Sequence, residues 1–272
     1  MAALPQPLGK FFGDRGPHLA AMIAYFALLS FVPLLFLTVS LLAVAGRPGE
    51  STFLVTELKR AFPGSSVSSI VHTVRAIQKH ATALGLVGGA ALLWTSLSLF
   101  SVLESAFNIV YGQPNRSFLR GKLLAVGLML LSLVTLFVGL LAGSFGFDLL
   151  KRYAAGFAAN SYVAYGLSVA VSLVAVFVFL VAVYYLLTNV EHSFADVLPG
   201  AITAAIVLEA SFQVLPIYVR FSNNVVALKA FGGPALLLVW LYVMANVMVF
   251  GAEVNWWLSE GRREPEEVPG LA

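Results

Sequence analysis

Six apolar runs, each longer than the helices that usually line a soluble core, decide what this chain can become. They are Leu19–Ala45, Thr82–Val110, Leu123–Phe147, Val163–Leu187, Leu198–Val219 and Ala235–Leu258. A helix that crosses the hydrocarbon of a bilayer needs about 20 predominantly apolar residues, and every run is long enough. Composition agrees. Hydrophobic residues make up 60% of the chain and charged ones 11%, against about 25% charged in a soluble domain. The alternating pattern of membrane strands is missing, so the fold class is all-α, a polytopic membrane protein with six transmembrane helices. Residues 1–258 form one domain, with an amphipathic segment at 46–81 and a flexible polar tail at 259–272.

Leu198–Val219 is the run with the most to explain, because it carries Glu209 close to its midpoint. A carboxylate at that depth is costly, by roughly 2.5–3.5 kcal/mol for Asp on insertion scales. Helical spacing puts Ala205, Glu209, Gln213 and Pro216 on one face. That face is expected to meet protein or a wet cavity rather than lipid. An unpaired carboxylate there can act as a proton carrier, a cation ligand or a hydrogen-bond anchor for a polar headgroup.

The other runs add detail in order. In the first, Ala43-Val44-Ala45 mimics a signal-peptidase site, but the run far exceeds the 7–15 residues of a signal h-region. Pro33 inside it predicts a kink, with Ser30 nearby to hydrogen-bond locally. The segment Arg47–His80 reads as two amphipathic helices split by Pro63-Gly64. It fits a helix packed on the end of the bundle, or an interfacial helix whose Arg75 and Lys79 touch lipid headgroups. In the second run Gly85 and Gly89 allow close helix approach, and Ser101, Glu104 and Asn108 form a second polar stripe. Gly139, Gly143, Ala142 and Gly146 give the third run close-packing faces. The fourth is nearly featureless and is expected to face lipid. The sixth contains Asn246, Glu253 and Asn255.

The candidate solute-pathway residues are therefore Glu209, Gln213, Glu104, Asn108, Ser101, Glu253 and Asn246. Glu104 and Glu253 also fit a simpler role, capping or pairing near the membrane surface, with Arg116 or Arg120 as partners. Arg75, Lys79, Arg116 and Arg120 are candidates for contact with lipid headgroups or a partner. Signals for an enzyme are weak. The four histidines lack metal-ligand spacing, and no P-loop, dinucleotide fingerprint or nucleophile elbow is present. The sequence points to no catalytic residue, metal or cofactor, and it carries no basic groove with interleaved aromatics for nucleic acid. Absent cysteine excludes disulfides.

Charge leaves the orientation open. Seven Lys and Arg fall on the side of the termini and nine on the other, but only four of the nine lie outside residues 46–81.

Several stretches carry a family resemblance. Ala24-Tyr25-Phe26, Ser30-Phe31-Val32-Pro33-Leu34-Leu35 and Ala106-Phe107-Asn108-Ile109-Val110-Tyr111 with Arg116-Ser117-Phe118 resemble the YihY/BrkB family of bacterial inner-membrane proteins. So do Leu198-Pro199-Gly200-Ala201, Leu238-Val239-Trp240-Leu241-Tyr242 and Gly251-Ala252-Glu253-Val254-Asn255. The chain departs from the pattern at Tyr184–Asp196, where it has Thr188-Asn189. The resemblance implies six helices in the bacterial inner membrane, both termini and the 259–272 tail cytoplasmic, and the 46–81 segment extracytoplasmic. The family's former label, ribonuclease BN, finds no support in these residues.

Two functions follow as expectations. The first is transport of a lipid, or of another amphipathic or small solute, across or out of the membrane, with membrane lipids as partners. The second is a non-transporting scaffold that docks an envelope protein through residues 46–81.

Overall fold

The computed structural model describes residues 6–44, 81–134, 161–191, 193–222 and 226–259. The segment 46–81 (all but Ala81), including Arg75 and Lys79, and the tail from residue 260 lie outside them, as do Gly139, Ala142, Gly143 and Gly146. Within the described residues the chain is helical, with no strand. The helices are α1 (Gln6–Gly13), α2 (Gly16–Val44), α3 (Ala81–Val110), α4 (118–134), α5 (Ser161–Leu187), α6 (Phe194–Ser222) and α7 (Val226–Ser259).

Local chemistry sets the ends of these helices. Between α1 and α2, Arg15 adopts a left-handed φ of 58°. Phe11 folds back so closely over Gly16 that a Cβ there would strike its ring. The α3 helix closes on Gly112, at φ 65°, where left-handed backbone costs glycine nothing. Tyr111 N then donates to Phe107 O, and Gln113 N to Asn108 O. A reciprocal cap starts α6. Ser193 Oγ accepts from Ala195 N at 3.4 Å, and Asp196 Oδ2 accepts from Ser193 N at 2.9 Å. Inside the apolar helices, hydroxyls turn back onto their own backbone. Ser30 Oγ donates to Phe26 O at 2.9 Å, one turn before Pro33, and Thr95 Oγ1 donates to Ala91 O at 3.1 Å.

Four helices among the described residues are long and apolar enough to cross a membrane, with stretches at Leu86–Val110, Val169–Leu187, Phe194–Val214 and Ala235–Ser259. The first expected span falls on α2, whose Gly16–Phe31 half forms a shorter apolar stretch. The third is described only as far as residue 134. Only 22–39% of each of the four is buried within the chain. Apolar helices so exposed are stable where lipid supplies the remaining contacts. The α2 helix packs most extensively on α3, and α7 packs on α6, α2 and α1. The fourth span is not lipid-facing all round. Its Leu180, Val183, Tyr184 and Leu187 are buried, while Val171, Val174 and Val178 face outward.

Contacts between helix ends fix the topology. Lys10 Nζ donates to Val110 O at the end of α3, at 2.6 Å, and pairs with Glu253 near the end of α7, at 3.2 Å. Arg116, just past α3, reaches the end of α5. Gly200, near the start of α6, meets Asn255, near the end of α7. The starts of α2, α4 and α6 and the ends of α3, α5 and α7 therefore share one end of the bundle, together with α1.

Helix association in lipid depends on close packing and interhelical hydrogen bonds rather than on expelling water. The α6–α7 crossing shows both. A Cβ on Gly200 would land on Gly251 O, and one on Gly251 would land on Tyr184 Oη. That hydroxyl donates to Met248 O at 2.7 Å, which ties α5 to α7. Phe107 of α3 meets the Tyr184 ring edge-on, with centroids 5.3 Å apart.

Candidate functional site

The polar residues of the spans fall into two layers. The first lies at the shared end. Glu104, 5% exposed, accepts from Arg116 N at 3.1 Å and lies 3.6 Å from Arg116 Nη1. The guanidinium then donates to Leu187 O and Thr188 O, each at 2.7 Å. One side chain thus neutralises a carboxylate of α3 and caps the unsatisfied carbonyls that end α5. Asn108 works beside it. Its Oδ1 accepts from Asn189 N at 2.7 Å, and its Nδ2 donates to Asn115 Oδ1 at 3.1 Å. Ser101 accepts from Lys122 Nζ at 2.9 Å and donates to Leu97 O at 2.6 Å.

Glu253, with no exposed surface, pairs with Lys10, which also bonds Asp14 and lies 4.4 Å from the Trp256 ring centroid. Asn255 Oδ1 accepts from Gly200 N at 2.6 Å. Among the described residues, both carboxylate oxygens of Glu253, and Asn255 Nδ2, are buried without a hydrogen-bond partner.

The second layer is deep in the bundle. Glu209, 6% exposed and in the middle of α6, accepts from Ser172 Oγ of α5 at 2.7 Å and from Gln213 Nε2 at 2.8 Å. At 1.5 Å per residue it lies about 22 Å along the helix from Phe194. Its stripe is divided: Ala205 and Glu209 are buried, whereas Gln213 is exposed. The side chain of Pro216 lies outside the described set.

A third feature is a groove of about 290 Å³ between α1, α6 and α7, lined by Leu8, Phe11, Val207, Val247 and Phe250 among others. Thr203 and Asn246 contribute its polar atoms. Their donors are turned elsewhere: Thr203 Oγ1 bonds Pro199 O at 2.8 Å, and Asn246 Nδ2 bonds Tyr242 O at 2.7 Å. The groove thus presents an aliphatic and aromatic surface. Of the candidate pathway residues, Asn246 lines it, and Glu209, Glu104 and Glu253 do not.

The profile of the family described as Virulence factor BrkB matches residues 8–270, nearly the whole chain. The chain belongs to the BrkB family. It is 26% identical over 278 residues to the ribonuclease-like protein YfkH of Bacillus subtilis, with 99% of each chain covered. It is 26% identical to a UPF0761 membrane protein of Chromohalobacter salexigens, covering 97% of this chain and 64% of that one. For a UPF0761 membrane protein of Rhodospirillum centenum the identity is 27%, covering 93% and 56%. The chain therefore spans about three-fifths of the length of these UPF0761 relatives. No solved structure matches it.

In this BrkB-family chain the stretches that carry the resemblance meet one another. Leu198-Pro199-Gly200-Ala201 packs on Gly251-Ala252-Glu253-Val254-Asn255 through the Gly200–Gly251 contact and the Asn255 bond. Asn108 and Arg116 jointly hold the end of α5. Arg116 is directed inward, and Arg120 is exposed. Sequence reasoning missed Lys10 as the partner of Glu253 and Ser172 as the partner of Glu209. For the first, the Lys10-x-x-x-Asp14 spacing is a signal only of the local pair between those two residues. The second had none beyond a lone serine in an apolar span.

Proposed function

We propose that this BrkB-family membrane protein moves a lipid through the bacterial inner membrane, with both termini in the cytoplasm. The observation that carries the proposal is the apolar groove between α1, α6 and α7. Its two polar residues have their donors bonded to backbone carbonyls of their own helices, so an acyl chain suits it better than a polar solute does. It begins at Leu8 and Phe11, on the helix that lies at the end of the bundle, and runs inward past Phe250 to Asn246. An acyl chain entering from the bilayer follows the same course.

The ribonuclease-like name of the Bacillus subtilis relative is not extended to this chain. Glu104 and Glu253 are each paired with a cation, and Glu209 is held by Ser172 and Gln213. Orientation rests on the family resemblance, which implies cytoplasmic termini; the charge count alone leaves it open, although Lys10, Arg15, Arg116, Arg120 and Lys122 do gather at the shared end.

The test is leaflet-to-leaflet movement of a fluorescent phospholipid in proteoliposomes, followed by reduction of the outer-leaflet dye. The protein is expected to accelerate movement, and Val247→Trp, which fills the groove, to slow it at least tenfold. Folded wild-type protein that leaves the rate at that of protein-free vesicles would overturn the proposal. For orientation, Arg120→Cys in this cysteine-free chain should resist a membrane-impermeant thiol reagent in intact spheroplasts and react once they are permeabilised. Labelling of the intact spheroplasts would reverse the topology.

A further inference from the structure

The groove has three walls, and they differ in how they are held. Those from α6 and α7 belong to long membrane helices locked at the Gly200–Gly251 crossing. The third, Leu8 and Phe11, comes from α1, a helix of 8 residues that packs on α7 and touches α2 lightly. A helix so short has little stability of its own, so its position depends on what anchors it.

We propose that α1 is a hinged wall of the groove, swinging about Asp14–Gly16 and latched shut by the Lys10–Glu253 ion pair. This rests on the groove being the lipid path.

The latch is concentrated in one side chain. Lys10 Nζ reaches Val110 O at 2.6 Å, Glu253 Oε2 at 3.2 Å, Asp14 within its own turn, and the face of Trp256 at 4.4 Å. These contacts tie α1 to the ends of α3 and α7. Phe11 adds an edge-on contact with Phe250, with centroids 5.9 Å apart, while Phe12 is 56% exposed.

The hinge is equally local. Asp14 and Arg15 form a turn with Arg15 at φ 58°, and Gly16 leaves room for the Phe11 ring only because it has no Cβ. A swing about this turn carries Leu8 and Phe11 away together and leaves the half-buried Val247 and Phe250 open to lipid, beside Val207, which is exposed already. Among the described residues, Glu253 is held by the charge of Lys10 alone: both of its carboxylate oxygens are buried without a hydrogen-bond partner even in the closed state. Among the contacts of Lys10, the pair with Glu253 is the one between opposite charges that joins α1 to another helix, and a link carried by one side chain suits an element with two accessible positions.

Spin labels on Phe12→Cys and Ile202→Cys, both at exposed positions, report the distance from α1 to α6 in the full chain in nanodiscs. One short distance is expected with Lys10 present. Lys10→Met and Glu253→Gln should each raise a longer-distance population at least tenfold, and Lys10→Arg should keep the short one. An identical single distance in all four backgrounds would overturn the proposal, whatever the lipid assay gives. Loss of the short distance in Lys10→Arg as well would also overturn it, since that variant retains the charge. In the lipid assay, joining Leu8→Cys to Val247→Cys with a short bismaleimide should stop movement that each single cysteine permits. A cross-linked protein as fast as wild type would refute the hinge. Lipid movement absent from the wild type overturns the transport function and leaves the distance measurement to judge α1.

Discussion

Arg116 is the residue whose loss should be felt most, because one guanidinium serves two buried needs. Its side chain is 23% exposed, and that of its partner Glu104 is 7% exposed. Removing one member of a buried pair costs about 3–5 kcal/mol, chiefly because the remaining charge stays desolvated. Arg116→Met also removes both donors from Leu187 O and Thr188 O, and hydrogen bonds to charged groups contribute about 1.5–3 kcal/mol each. These losses overlap, so about 3–5 kcal/mol is expected in total. Glu104→Gln should cost about 1 kcal/mol, since its side-chain oxygen can still accept from Arg116 N. The deciding variant is the double substitution. With Glu104 neutral, the uncompensated charge is gone, and Arg116→Met/Glu104→Gln should be more stable than Arg116→Met alone by about 2 kcal/mol. Unfolding in mixed micelles on titration with SDS, read by tryptophan fluorescence, measures all three. If the double variant is no more stable than Arg116→Met, Glu104 and Arg116 are not coupled and the clamp on α5 is wrongly assigned.

Other substitutions separate packing from polar contacts. Gly200→Ala places a methyl on Gly251 O and Asn255 Oδ1 and should cost about 1–3 kcal/mol, whereas Gly127→Ala, with nothing near its would-be Cβ, should be neutral in the same titration. Tyr184→Phe removes the bond to Met248 O and should cost about 1 kcal/mol; an unchanged midpoint would deny that bond any role in joining α5 to α7. Glu209→Gln keeps an acceptor for Ser172 and should leave lipid movement within twofold of wild type, while Glu209→Leu strands Ser172 and should cost about 1–2 kcal/mol. Loss of lipid movement in both folded Glu209 variants would instead make that carboxylate a proton or cation carrier.

Much of the fold is legible because lipid imposes a simple rule: a spanning segment must be long, apolar and internally hydrogen-bonded. The apolar runs that begin at Thr82, Val163, Leu198 and Ala235 lie within α3, α5, α6 and α7. The buried polar positions Glu104, Asn108, Glu209 and Glu253 also stand out, because a carboxylate or amide is conspicuous among aliphatic residues. Their partners are much less legible. Arg116 is foreseeable for Glu104, since both flank the same helix end. Lys10 meets Glu253 across almost the whole length of the chain, and only the return of α7 to the end from which α2 departs makes the pair. Ser172 becomes a partner because α5 and α6 run antiparallel and bring it to the depth of Glu209. Helical periodicity describes faces within one helix and carries no register between two. That register is set by glycines such as Gly200 and Gly251, where backbones touch. The sequence marks them only as small residues, and the geometry gives them their weight. The charged side chains Lys10, Arg116, Glu104 and Glu253 gather at one end as the direct consequence of this register. Among the described residues it leaves one carboxylate deep in the bundle, held by Ser172 and Gln213, and an apolar groove beside α1.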